Sequence, residues 1–168
     1  MAGSLEGISP VSFESASNVT ATPSVQLGTV KVDNAGNKFL YVYNGGNAQI
    51  SQGQGAFLSP SNYSSGFTVS VSNAASQSGG ERLLGVAHHA TIATGYYGWV
   101  MAAGVALVAL DASQVSMNAG DILVPGVDGG FVVKAGTSAT AIPVGVAINS
   151  LVTTVGTGKA WIKAPFFG

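Results

Sequence analysis

The sequence of 168 residues contains no cysteine and few charged residues. Without cysteine, the protein has no disulfide bonds, no thiolate catalysis and no zinc site with cysteine ligands. Charged residues make up 8% of the chain, against roughly 25% in an average soluble protein. Neutral side chains must therefore cover most of the surface, and a net charge of −1 gives little repulsion between copies. This composition favours a protein that assembles with other subunits.

Neither sign of charge dominates the chain. Six Lys and Arg residues stand against seven Asp and Glu residues, and the isoelectric point is about 6.0. Proteins that bind nucleic acid normally cluster basic residues to neutralise phosphates. No such cluster is present, so we expect no nucleic-acid partner. Met1–Pro10 has neither a basic start nor an apolar run, and we expect no secretory signal there.

One uncharged stretch is long enough to cross a membrane as a helix. Thr91–Leu110 has 20 residues without a charge, which meets the length rule for a spanning helix. Two buried strands, Trp99–Ala103 and Val105–Leu110, would give the same hydropathy signal. Three glycines interrupt the stretch. We therefore expect two strands here and no membrane partner.

The chain is rich in glycine and in short apolar segments. Turn residues at Asn34–Asn37 separate Val25–Asp33 from Lys38–Tyr43 and predict a hairpin. Asp128–Gly130 predicts a second hairpin, and Asp111–Met117 could form one helical turn. No long amphipathic helix is expected. The predicted fold is all-β: a Gly-rich small β-barrel or sandwich of short antiparallel strands with an extended N-terminal arm.

The chain also repeats one unit. Residues 84–104 and 144–165 each contain a Gly-Val-Ala strand, a polar connection, a glycine-bounded turn and a strand with a tryptophan. Gly85 and Gly145 lie 60 residues apart, a period typical of a reused supersecondary unit. We therefore expect two related hairpins within one domain, residues 25–168.

Residues that could carry chemistry are few and scattered. If His88 and His89 lie on a strand, they point to opposite faces and cannot share a metal ion. Gly156–Ala160 lacks the Ser or Thr and the helix of a phosphate-binding loop, and predicts a hairpin turn. A calcium-binding loop needs closely spaced acidic residues, and the spacing of Asp111, Asp121 and Asp128 is too wide. We expect no catalytic residue, no metal and no cofactor, and hence no enzymatic activity.

Aromatic residues lie beside turns and near the chain ends, where contact surfaces are common. The interface candidates are Phe13, Tyr96, Tyr97, Trp99, Phe166 and Phe167. For Trp99 and Trp161, filling of the core is an equal alternative. Residues 1–24 predict an extended arm through which Phe13 could dock on a neighbouring subunit, and a disordered terminus is the alternative.

Five short motifs follow one another in a recognisable order. They are Lys38–Gly46, Leu84–Ala87, Gly95–Val100, Ala119–Val124 and Val144–Ala147. In this order they resemble the small β-rich capsid decoration, or cement, proteins of tailed bacteriophages. The resemblance covers roughly Val25–Pro165 and leaves the N-terminal arm outside it.

The resemblance implies a homotrimer on the outer surface of an icosahedral shell. Such a protein ties neighbouring major capsid subunits together at or near local threefold positions, and no catalytic or cofactor residues come with the family. A different role also fits the sequence. The exposed aromatics, Tyr96, Tyr97 and Trp99, could belong to a phage fibre or tail-associated module that binds carbohydrate or a receptor.

Overall fold

The computed structural model describes residues 15–58, 66–71, 83–114, 116–126, 129–133, 142–151 and 156–165. Within these residues the chain forms ten β-strands and no α-helix. The strands are β1 (Val30–Val32), β2 (Lys38–Asn44), β3 (Gly55–Leu58), β4 (Thr68–Ser70), β5 (Leu83–Val86), β6 (Tyr97–Ala109), β7 (Ile122–Pro125), β8 (Phe131–Val133), β9 (Gly145–Ala147) and β10 (Thr157–Lys163). The predicted all-β class is confirmed.

Five of these strands close into a barrel in the order β2, β4, β3, β5 and β6, with β6 pairing back to β2. Closure leaves these strands without a long free edge. Apolar side chains that are at most 2% exposed fill this part of the molecule: Leu40, Val42, Ile50, Ala56, Val69, Leu84, Ala87, Ile92, Val100 and Ala102. The structure therefore selects the barrel over the sandwich. One pairing, between β2 and β4, is parallel rather than antiparallel.

The longest strand corrects the sequence prediction. We expected two strands separated at Gly104, but β6 runs without a break through 13 residues. Gly104 has a φ of +131°, a conformation that glycine adopts without steric cost. The ladder between β6 and β10 continues across this residue. Within the described part of the chain, no helix is long and apolar enough to span a bilayer.

The second half of β6 carries the remaining strands outside the barrel. Seven residue pairs join it to β10, from Ala109 opposite Thr157 to Ala103 opposite Lys163. The sheet then continues through β9, β7 and β8. A single parallel bridge between Leu110 and Phe131 brings β8 back to the end of β6. The buried side chains of this outer sheet form one cluster with Phe39, Tyr41, Phe57 and Trp99 of the barrel strands; they include Val108, Met117, Leu123, Phe131, Ala147, Ala160 and Ile162.

The repeated unit forms a consecutive antiparallel strand pair in both places. Val86 of β5 lies opposite Met101 of β6, and Val146 of β9 lies opposite Trp161 of β10. The sequence pattern had paired Trp161 with Trp99. In the structure, the residue in the position equivalent to Trp161 is Met101. The tryptophans occupy different positions in the two pairs because the connecting loops place them two residues out of step.

Both predicted hairpins are present, as β1–β2 and as β7–β8. Two local predictions are wrong. Gly156–Ala160 is not a turn, because β10 begins at Thr157. Asp111–Gln114 forms a turn rather than a helix, closed by a hydrogen bond from the Gln114 backbone N–H to the Asp111 carbonyl.

The described part of the N-terminal segment contacts the barrel. Thr20 exchanges two backbone hydrogen bonds with Tyr97, of 3.0 and 2.8 Å. The backbone N–H and the hydroxyl of Ser24 lie 3.1 and 2.9 Å from the Tyr41 hydroxyl. The segment has no regular strand before Val30. Residues 1–14, including Phe13, lie outside the described residues.

Candidate interaction surface

The aromatic residues at the start of β6 do not form one exposed platform. Tyr96 is 39% exposed, whereas Trp99 is 5% exposed. Tyr97 is half-buried, and its ring centroid lies 4.8 Å from that of Tyr43. Of these three candidates, only Tyr96 presents a large part of its ring to solvent. Phe166 and Phe167, like Phe13, lie outside the residues that the structure describes.

Two side chains, Tyr41 and Lys31, pack on the ring of Trp99. The Tyr41 ring lies 4.9 Å from its ring, centroid to centroid. The Lys31 ammonium lies 3.9 Å from its centroid, within the range of a cation–π interaction. The indole N–H has no hydrogen-bond partner in the described structure. Trp99 therefore fills the interior of its own subunit.

Four exposed apolar side chains form a continuous line across the outer sheet, which we call the apolar row. Val105 on β6 lies opposite Trp161 on β10, Trp161 opposite Val146 on β9, and Val146 opposite Ile122 on β7. Their exposed fractions are 36%, 55%, 43% and 45%. Residues directly opposite in neighbouring strands have Cβ atoms about 5 Å apart. The four side chains therefore form one surface.

The row is unusual because β10 otherwise alternates as an ordinary half-buried strand. Gly158, Ala160 and Ile162 are buried, and the residues between them are exposed. The exposed face of such a strand is normally polar, and here Trp161 stands between Lys159 and Lys163. A large aromatic side chain on this face does not serve the core of its own sheet. Contiguous exposed apolar groups of this kind mark contact surfaces.

A groove of about 480 Å³ adjoins the apolar row. Its apolar walls include Ile142, Pro143 and Pro165 besides members of the row, and among the described residues Lys163 is the one charged residue that lines it. Ile142 is itself 36% exposed. The groove extends the apolar surface beyond the strands and makes it concave there.

The carboxylates that the structure describes are held in turns. Asp33 accepts hydrogen bonds from the backbone N–H groups of Ala35 and Asn37, both at 2.9 Å. The hydrogen bond from the Asn37 side-chain amide is the main reason why the pKa of Asp33 lies below its usual value. Asp111 accepts from the Ser113 backbone, and Asp121 from Asn118. None of the three lines the groove.

The two histidines lie side by side, which corrects the prediction of opposite faces. Strand β5 ends at Val86, so His88 and His89 belong to the following loop, and their ring centroids are 4.3 Å apart. Burial lowers the pKa of both, helped by His89 in the case of His88 and by Lys31 in the case of His89, while Asp33 opposes the shift. The Nδ1 atom of His88 accepts a hydrogen bond of 2.8 Å from the Leu107 backbone. Among the described residues, no three His, Asp or Glu side chains could hold a metal ion.

No model of a known protein family and no curated protein matches this chain. The sequence identified only one member of the apolar row, Trp161, and left it open between core and contact. The sequence does not reveal that Val105, Val146 and Ile122 lie beside Trp161, because their proximity depends on the register of four strands. The available clue was the Lys-x-Trp-x-Lys alternation at residues 159–163, which places the tryptophan on a lysine-bearing face.

Proposed function

We propose that the protein is a structural component of a virion. It decorates the outer surface of an icosahedral phage capsid as a homotrimer and holds neighbouring major capsid subunits together. The observation that carries this proposal is the apolar row, a surface of four exposed side chains on a regular sheet. The order of motifs that resembles phage cement proteins supports the same role.

A second exposed apolar surface suits a protein that must bind both its own copies and a shell. β1 lies at the end of the strand order, and its residues Val30 and Val32 are 45% and 55% exposed. An edge strand offers unpaired backbone groups to another chain. This edge and the apolar row lie on different strands, so one subunit could use both at once.

The scarcity of charge fits the same role. Contacts made by burying apolar surface persist across ionic strength, because dissolved salt screens charge pairs but leaves apolar burial largely intact. A particle outside the cell meets varied salt concentrations. Weak contacts per subunit also add up over the many copies on one shell.

The test uses capsids of a phage that encodes this protein, prepared without it and then mixed with it. We expect density on the outer surface by electron microscopy, a higher temperature of DNA release, and a trimer by light scattering. Monomeric protein together with an unchanged release temperature would contradict the proposal. Specific binding on a glycan array, with no effect on the shell, would instead support a fibre or tail-associated module.

A further inference from the structure

The apolar row is too small to hold two proteins together by itself. Counting about 150–250 Å² for a large side chain, the four exposed fractions, 36–55%, leave roughly 350 Å² of apolar surface. A stable interface buries about 800 Å² on each partner. The row therefore supplies the centre of a contact, and the groove and flanking residues of β10 must supply its border.

That border is cationic. Lys159 and Lys163 lie two residues before and after Trp161 on the same face of β10, and both are exposed. Lys163 also lines the groove. The centre of this surface is thus apolar, and the charged residues described at its border, Lys159 and Lys163, are both cationic.

A second copy of this face would be a poor occupant. In a dimer with a twofold axis, the lysines of the two copies would lie close together, and like charges across an interface oppose association. In a trimer this face would instead have to meet a different face of the neighbouring copy. The carboxylates that the structure describes are also poor complements. Asp111 is 2% exposed, and Asp33 and Asp121 accept backbone hydrogen bonds within their own turns.

We infer that the apolar row, bordered by Lys159 and Lys163, is the surface that binds the shell. Its partner is a protein face with an apolar centre and Asp or Glu carboxylates around it. This inference rests on the proposed function and assigns it to one side of the molecule. The edge strand β1 is then left for contacts between copies of the chain.

Trp161 is expected to dominate the binding. Large aromatic residues at the centre of an interface are the commonest hot spots, and their truncation lowers affinity by about 30-fold or more. The lysines are expected to contribute mainly to orientation and to the rate of association, since they border the contact. Because Trp161 is 55% exposed, its replacement leaves the core of the subunit intact.

The experiment compares variants of the full chain in binding to capsids prepared without it. Trp161→Ala should bind at least about 30-fold more weakly, and Lys159→Glu with Lys163→Glu should also weaken binding. Lys159→Arg with Lys163→Arg keeps the charge and should bind like the wild type. Tyr96→Ala is the aromatic control: Tyr96 is 39% exposed and belongs neither to the apolar row nor to β1. Its truncation should leave capsid affinity within about threefold.

Oligomeric state separates the shell contact from the contact between copies. Sedimentation of Trp161→Ala should match the wild-type oligomer. A change of oligomer with Trp161→Ala, or capsid binding equal to wild type, would overturn the inference and leave the proposed function standing. Failure of the wild type to bind capsids would remove both.

Fluorescence provides a measurement that needs no variant. The protein has two tryptophans, one buried and one exposed, so acrylamide quenching reports mainly on Trp161. We expect Trp161 to be quenched freely in the protein alone at all concentrations and to be protected when capsids are added. Protection that grows with protein concentration would assign the row to a second copy. Protection by phosphatidylglycerol vesicles would assign it to a lipid surface, and either result would overturn the inference.

Discussion

Replacing the repeated glycines of the two strand pairs, Gly85 and Gly145, by alanine is expected to destabilise the protein to different extents. A Cβ atom added to Gly85 would lie 2.6 Å from the Met101 carbonyl oxygen, 2.9 Å from the Met101 carbonyl carbon and 2.8 Å from a methyl of Val100. At Gly145 the added atom would lie 2.6 Å from the Trp161 carbonyl oxygen and 2.6 Å from the end of the Ile162 side chain, with the carbonyl carbon at 3.5 Å. At Gly85 two backbone atoms would lie within 3.0 Å of the added Cβ atom, whereas at Gly145 one backbone atom would.

This difference sets the expected magnitudes. Carbon atoms pack best at about 3.5–4.0 Å, so Gly85→Ala requires β5 and β6 to separate by several tenths of an ångström within a closed barrel. Overpacking of this kind costs about 1–3 kcal/mol, and the stiffer unfolded chain returns about 0.4–1 kcal/mol. Because two backbone atoms are crowded, the cost for Gly85→Ala should lie near the upper end of this range, about 3 kcal/mol, and the net loss should be about 2 kcal/mol. For Gly145→Ala we expect about 1 kcal/mol, because the terminal methyl of Ile162 can rotate away.

Urea unfolding followed by circular dichroism measures both changes. In a chain of this size, 2 kcal/mol corresponds to a fall in melting temperature of about 4–8 °C. The reasoning is refuted if both variants unfold within about 0.5 kcal/mol of the wild type, or if Gly145→Ala is the more damaging of the two. Either result would mean that the strand pairs do not need their close approach at glycine.

Three further predictions concern buried or half-buried polar groups. Tyr41→Phe removes the hydroxyl that lies beside both polar groups of Ser24 and should lower the free energy of unfolding by about 1–2 kcal/mol in urea titrations; no change would deny it a role in holding the N-terminal segment. Asn44→Ala frees the carbonyls of Ala48 and Ile92 and should cost about 2–3 kcal/mol by the same assay. Burial lowers the pKa of His88 below 6.5 in the folded chain, so the unfolded chain is protonated first and stability falls as the pH drops below about 6.5. His88→Gln should reduce that dependence in melts between pH 5 and 8 and leave the part due to His89, and an unchanged slope would contradict the assignment.

Local patterns in the sequence predicted the fold class and the hairpins well. The turn-forming residues of Asn34–Asn37 and Asp128–Gly130 predicted the pairing of the strands on either side of them, and such signals need no distant partner. The continuity of β6 could not be predicted in the same way. Glycine at position 104 is compatible with a break or with a bent strand, and its neighbours on β2 and β10 decide between them.

Burial of the two tryptophans shows the same limit. Trp99 and Trp161 occur in similar local sequences, yet Trp99 is buried and Trp161 is the most exposed member of the apolar row. Trp99 is covered by Lys31 and by Tyr41, residues far away in the chain. Trp161 has Val105 and Val146 as its neighbours, and their side chains share its exposure. Register between distant strands, which a single sequence does not reveal, made the difference.

The shared strand β6 makes the protein a single mechanical unit. Its first half is a wall of the barrel and its second half is bonded to β10 over seven residue pairs. Domains joined by a flexible linker move independently because few contacts cross between them, whereas tension here would pass along one continuous backbone. A pull on Trp161 would load the hydrogen bonds of the β6–β10 ladder together, in shear, and reach the barrel without stretching a hinge.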